Sequence, residues 1–124
     1  MNIKEIQQEI HKVNVEKGFW EDRKNVGEVL MLIVSELGEA LDAHRADKKA
    51  DVEEFDAKAI DRTEAADYQA DFQQCIKDTF EDEIADTVIR ILDMCEGFGI
   101  DLERHIELKL EYNRTRPYKH GKKY

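Results

Sequence analysis

An all-α, four-helix-bundle-like fold is what this 124-residue sequence predicts, on three observations. Apolar residues recur at three- and four-residue steps in several separate stretches. Helix breakers are scarce, with one proline (Pro117, near the end) and six glycines. Charged side chains make up 39% of the chain, the composition of helices with solvated outer faces. The length suits one domain with one core, residues 1–124.

The first helix is marked by Ile3, Ile6, Ile10 and Val13, and Gly18 is its stop. The segment 19–25, "FWEDRKN", is a connector that carries the only tryptophan. A second helix follows from about Asn25, a good N-cap, to about Ala46. Residues 47–78 are acid- and alanine-rich and too long for an ordinary helix–helix turn. They read as an insert: a lid, a short extra helix or a mobile loop. Phe72, Ile76, Phe80, Ile84, Val88 and Ile91 then continue at helical spacing. The third helix therefore either starts near Asp67 or restarts at Thr79, which could cap Asp82 and Glu83. Gly97 and Gly99 end it. Asp101 caps a fourth helix carrying Leu102, Ile106 and Leu110, which must stop by Arg116 because Pro117 follows. The end, residues 117–124, is a polar, basic tail.

Apolar positions on the second and third helices extend around most of each circumference. One chain of this size does not cover two such helices, so a dimer or tetramer is expected, a homodimer or homotetramer. The longest apolar run, Val29–Val34, is far too short for a membrane span. Nothing at the start resembles a signal peptide. Cys75 and Cys95 form neither a metal spacing nor a disulfide framework and read as buried thiols of a cytoplasmic protein.

The net charge of −10 is uneven. Residues 1–108 hold 13 basic and 28 acidic side chains, a balance of −15. Residues 109–124 hold six basic and one acidic, a balance of +5. The acidic body repels nucleic acid and bare phosphate, which argues against a nucleic-acid partner. A phosphorylated ligand needs the basic tail, a divalent cation, or both.

With 29 acids, the chain contains nine acid-x-x-acid pairs, so that spacing alone says nothing. Two pairs differ in their surroundings. Between Val29 and Leu41, apart from Ser35 and Gly38, only Glu36 and Glu39 are not apolar. Between Ile84 and Leu92 the only charged residues are Asp86 and Arg90, and Glu83 stands just before. An ionised carboxylate among apolar neighbours costs several kcal/mol unless it is paired. Arg90 cannot balance four of them. Residues three apart on a helix share a face, with Cβ atoms roughly 5–6 Å apart. Two such pairs on facing helices make a four-carboxylate cluster, and hard oxygen donors select Mg²⁺, Mn²⁺ or Ca²⁺. A di-iron bundle site would use Glu-x-x-His, and none of the four histidines has a glutamate three residues before it. The alternative is that these acids lie on the wet edge of each helix. Gly38, between the two glutamates, costs about 1 kcal/mol against alanine, so it marks a close approach, either of a ligand or of a packed helix.

"ELGE" at 36–39 followed by "EIAD" at 83–86 resembles the Glu-x-x-Glu … Glu-x-x-Asp signature of MazG-like nucleotide pyrophosphohydrolases. These belong to the all-α NTP pyrophosphatase superfamily, with the dimeric dUTPases and phosphoribosyl-ATP pyrophosphohydrolases. The end, "KLEYNRTRPYKHGKKY", resembles the Lys … Asn-x-x-Arg … Gly-Lys close of many MazG-like chains. One departure is the 43-residue separation between Glu39 and Glu83, longer than in compact members.

The resemblance implies hydrolysis of a (d)NTP to the (d)NMP and pyrophosphate, in house-cleaning or nucleotide-pool control. It implies Mg²⁺, with Mn²⁺ as the substitute, on Glu36, Glu39, Glu83 and Asp86. Such ions neutralise the oxygens that shield the α-phosphorus and make a bound water more acidic. Glu39 or Glu36 would then take its proton. By the same resemblance Lys109, Asn113 and Arg116, which share one face of the fourth helix, bind the triphosphate, and Lys119 and Lys122 close over it. Trp20 becomes the stacking platform for the base, with His11 reaching the same pocket; core packing is the other reading for both. A dUTPase-like or phosphoribosyl-ATP-hydrolysing specialist, or a non-catalytic helical nucleotide-binding module, is the alternative function.

Overall fold

The computed structural model describes all residues, 1–124, and contains α-helices and 3-10 turns with no β-strand. Its order is α1 (Ile3–Glu16), α2 (Val26–Arg45), α3 (Val52–Ala57), a 3-10 turn (Lys58–Asp61), α4 (Ala65–Cys75), α5 (Phe80–Gly97), α6 (Leu102–Arg114) and a second 3-10 turn (Tyr118–Gly121). The expected all-α class is what is found. No helix is long and apolar enough to cross a membrane. The chain divides into two compact units, one of residues 1–23 with 92–124, the other of residues 24–91.

In the unit that carries both termini, α1 begins with a reciprocal cap. Asn2 Oδ1 accepts from the Glu5 N–H at 2.8 Å, and Glu5 Oε2 accepts from the Asn2 N–H at 3.1 Å. The helix ends where expected, with Gly18 at φ +87°. Asp101 caps α6 by accepting from the Arg104 N–H at 3.1 Å, and Pro117 follows the helix end. Helices α1 and α6 pack together. Gln7 of α1 is buried, and its Nε2 donates to Glu96 Oε2 at 2.7 Å and to the Ile100 carbonyl at 3.0 Å. Leu92 and Cys95 are buried in this unit.

In the other unit, Asn25 caps α2 by accepting from the Glu28 N–H at 3.0 Å. Ile33, Ala40 and Ala43 on α2 and Cys75 on α4 form the buried core. Both cysteines are unpaired, buried thiols, as expected. The insert is neither one helix nor an irregular loop. It is a helical hairpin, α3 and α4 around a 3-10 turn. Arg62 holds it together: Nε donates to Asp71 Oδ2 at 2.8 Å, an Nη donates to the Phe55 carbonyl, and the guanidinium lies 4.0 Å from the Phe55 ring centre. Tyr68 meets Phe55 edge-on and stacks on Phe72. The hairpin's legs are tied at their base by Asp51 N–H to the Cys75 carbonyl and Phe80 N–H to the Lys48 carbonyl, both 2.9 Å.

Both readings of the third helix hold in part. A helix does begin near Asp67, but it stops at Cys75. A separate α5 restarts behind Thr79, whose Oγ1 accepts from the Asp82 N–H at 3.3 Å. The break lies at Asp78, in the left-handed region at φ +62°, which an ordinary residue adopts only when its surroundings hold it there.

Candidate metal centre

Two helices of the second unit place the acids. Glu36 and Glu39 are one turn apart on α2, and Glu83 stands in the first turn of α5 with Asp86 one turn on. Glu36, Glu39 and Glu83 each offer a carboxylate oxygen, and these oxygens all lie within 4.8 Å of one another. Glu36 and Glu83 are buried and Glu39 is exposed. Asp86 is not part of this three-carboxylate group. Its carboxyl is nevertheless raised above the ordinary value, by burial first and then by the charges of Asp82 and Glu36.

The electrostatics follow from crowding. Burial and then the charges of Glu39 and Glu36 push the Glu83 carboxyl up to about 7. The Glu39 carboxyl is raised, chiefly by its hydrogen bond with Glu36 and by that residue's charge. Glu36 goes the other way. Burial works to raise it, but hydrogen bonds from Glu39 and Arg90 outweigh burial and hold it below the usual carboxylate value. Arg90 Nε donates to Glu36 Oε1 at 2.7 Å. Carboxyls this close oppose one another's ionisation, which is why Glu39 and Glu83 are raised while Glu36, paired with Arg90, is lowered.

A cavity of about 420 Å³ opens beside the cluster, lined by Glu39, Asp42, Ala43, Ala46, Lys48, Asp78 and Glu83. Lys48 is its only cationic residue. Gly38 does not mark a close approach within this chain, because a Cβ there would meet nothing within 4 Å.

The remaining expected site residues belong to the other unit. Lys109 Nζ lies 4.9 Å from the Tyr112 ring centre and Arg116 Cζ 5.4 Å from it, so these two flank one aromatic on α6. Asn113 has a buried Oδ1 with no partner. Lys119 Nζ lies 5.8 Å from the Tyr118 ring centre, and Lys122 is exposed at the end of the tail. Trp20 and His11 do lie together, with ring centres 4.8 Å apart. Asp93 joins them, its carboxylate accepting from Trp20 Nε1 at 3.0 and 3.1 Å and lying 2.8 Å from His11 Nδ1. Trp20 also covers Gly97, where a Cβ would sit 2.1 Å from the indole.

Sequence reasoning missed Asp93 and Lys48. Asp93 was findable, since it lies seven residues after Asp86 and so on the same helix face. Lys48 carried no signal, because its place depends on the turn after α2. Compared with family models, curated proteins and solved structures, the chain matches none.

Proposed function

We propose that the chain is a metal-dependent nucleotide pyrophosphohydrolase that cleaves a (d)NTP to the (d)NMP and pyrophosphate. The observation that carries the reading is the meeting of three carboxylates, from two helices, within 4.8 Å. Their donor atoms are all hard oxygens, two of the groups are buried, and two cations stand by, Arg90 bonded to Glu36 and Lys48 in the adjoining cavity. That donor set fits Mg²⁺ or Mn²⁺. Glu36, Glu39 and Glu83 would hold the ion; Asp86, outside that three-carboxylate group, is proposed as a fourth ligand on the resemblance alone. When bound, the ion supplies charge neutralisation at the phosphates and a more acidic water.

The chain's own groups do the rest. Glu39, the exposed member, is the carboxylate open to solvent and so the one placed to take a proton from an attacking water. Glu36 is held by Arg90 and is the fixed member. The family resemblance assigns Lys109, Asn113, Arg116, Lys119 and Lys122 to the triphosphate and Trp20 with His11 to the base, and that assignment is part of the proposal. The Asp93 carboxylate fixes the orientation of both rings.

The working form is proposed to be a homo-oligomer. On α2, Leu30, Val34, Leu37 and Leu41 follow one another at steps of four, three and four and are all about half exposed, with the open space above Gly38 among them. A second copy packing there would bury them. Sedimentation or light scattering of wild type and Leu37→Glu tests this, with loss of the larger species in the variant expected.

The test of function is a panel of NTPs and dNTPs, with Mg²⁺ and then Mn²⁺, and identification of both products. Pyrophosphate and a monophosphate are expected from at least one of them. No turnover of any nucleotide, with binding retained, points to the non-catalytic module instead. Turnover confined to dUTP or to phosphoribosyl-ATP identifies a specialist.

A further inference from the structure

Arg90 and Arg62 lie in the same unit and use their guanidinium groups differently. Arg62 is held at three points: Nε on Asp71, an Nη on the Phe55 carbonyl, one face on the Phe55 ring. Arg90 makes one contact, from Nε to Glu36 Oε1, and its two terminal nitrogens have no hydrogen bond or ion pair. Its side chain is 42% exposed, while that of Glu36 is 10% exposed. An arginine that served only to neutralise Glu36 would gain more by turning its fork to both carboxylate oxygens. Here the grip is through Nε alone, which leaves four of the five N–H donors unused beside the carboxylate cluster.

We propose that Arg90 is a substrate-contacting residue: Glu36 anchors it through Nε, and its terminal N–H groups take non-bridging phosphate oxygens of the nucleotide. This rests on the reading of the cluster as a nucleotide-hydrolysing centre and adds a residue to it. Arg90 is the cation bonded to the three-carboxylate group, and Lys48 lines the cavity beside it; of the two, only Arg90 offers a planar fork to a polyanion brought there by a divalent ion. The planar fork matches a phosphate, which a lysine ammonium in the same place would meet only as a point charge. The anchor on Glu36 also limits the freedom the side chain has left to lose when it binds.

The experiment measures two affinities by calorimetry on the full chain: Mn²⁺ alone, and inorganic triphosphate with Mn²⁺ present. Wild type, Arg90→Gln and Arg90→Lys are compared, with circular dichroism of each metal-free protein. The expected result is a loss of triphosphate affinity of about tenfold or more in Arg90→Gln, measured at saturating Mn²⁺, and larger than the accompanying change in Mn²⁺ affinity, which the lost contact to Glu36 also alters. Arg90→Lys should recover only a minor part. Triphosphate affinity unchanged in Arg90→Gln overturns the proposal, and so does a loss of Mn²⁺ affinity as large as that of triphosphate, which would make Arg90 a positioning residue for Glu36 only. If Arg90→Gln fails to fold, wild-type triphosphate affinity in Arg90→Lys overturns it equally. A wild-type protein that hydrolyses nucleotides while the variants bind normally removes Arg90's role alone; a wild-type protein that neither hydrolyses nucleotides nor binds triphosphate removes the parent reading with it.

Discussion

The hairpin of residues 51–75 and the facing parts of α2 and α5 are both rich in acids, yet they treat them oppositely. In the hairpin each acid at a structural position has a donor. Asp51 accepts from the Glu54 N–H at 2.9 Å, Asp67 from Thr63 and Glu64, and Asp71 from Arg62 at 2.8 Å. On α2 and α5, three carboxylates crowd together and only Glu36 has a cationic partner. Acid count does not separate the two regions; the supply of donors does. Carboxylates left to repel one another in partly buried surroundings are held at a cost, and such arrangements are where perturbed pKa values and bound cations are found.

Four experiments break or sharpen that contrast. The largest effect is expected from Glu39→Gln, which removes a charge from the crowded region: pyrophosphate release should fall by about 10²-fold or more, with the helical circular dichroism unchanged. Near-normal turnover would remove Glu39 from the site. Next is Arg62→Ala, which strips the hairpin of its donor and leaves Asp71 unpaired. A loss of about 2–3 kcal/mol in chemical denaturation is expected, with Mn²⁺ affinity unchanged; a large fall in Mn²⁺ affinity would mean that the two regions are one system.

The third concerns pH. Glu83, facing Glu36, Glu39 and Asp86, has its folded-state carboxyl raised to about 7 from 4.5. A raised pKa means that the folded form prefers the proton, so this contribution to stability is fully present below pH 4.5 and is lost as pH rises through about 7. Melting of metal-free protein should therefore drop by a few degrees between about pH 5 and 8, and Glu83→Gln or added Mn²⁺ should flatten the slope. An equal slope in Glu83→Gln would show that the crowding is relieved in another way. The smallest effect belongs to Asp51→Ala, a cap in the well-supplied hairpin, which should cost about 1 kcal/mol and leave turnover as it was.

What could be read from the residues depended on whether the determinant was local. Helices α1, α2 and α6 begin at Asn2, Asn25 and Asp101, whose side chains accept from an N–H three residues on. Asn25 and Asp101 were legible as caps for that reason. The acids at 36 and 83 were legible because they stand among apolar residues, and both are buried; Glu39 stands in the same apolar run but is exposed. The hairpin was not. Phe72 and Ile76 keep step with Phe80 and Ile84, so the periodicity runs straight across a break set by a left-handed Asp78, and spacing carries no sign of that. The pairing of Trp20 with Asp93 joins residues 73 apart, which local pattern does not encode. Gly38 was read as a point of close approach, and within one chain nothing comes near it.

The two backbone bonds at the foot of the hairpin have a consequence for how such a chain can vary. Because Lys48 meets Phe80, and Asp51 meets Cys75, each at 2.9 Å, the polypeptide departs from α2 and returns to α5 at nearly the same point. Whatever is spliced between those points, whether a tight turn or a longer excursion, the exit from α2 and the entry to α5 stay side by side, and the spacing of Glu36, Glu39 and Glu83 is insulated from changes in length.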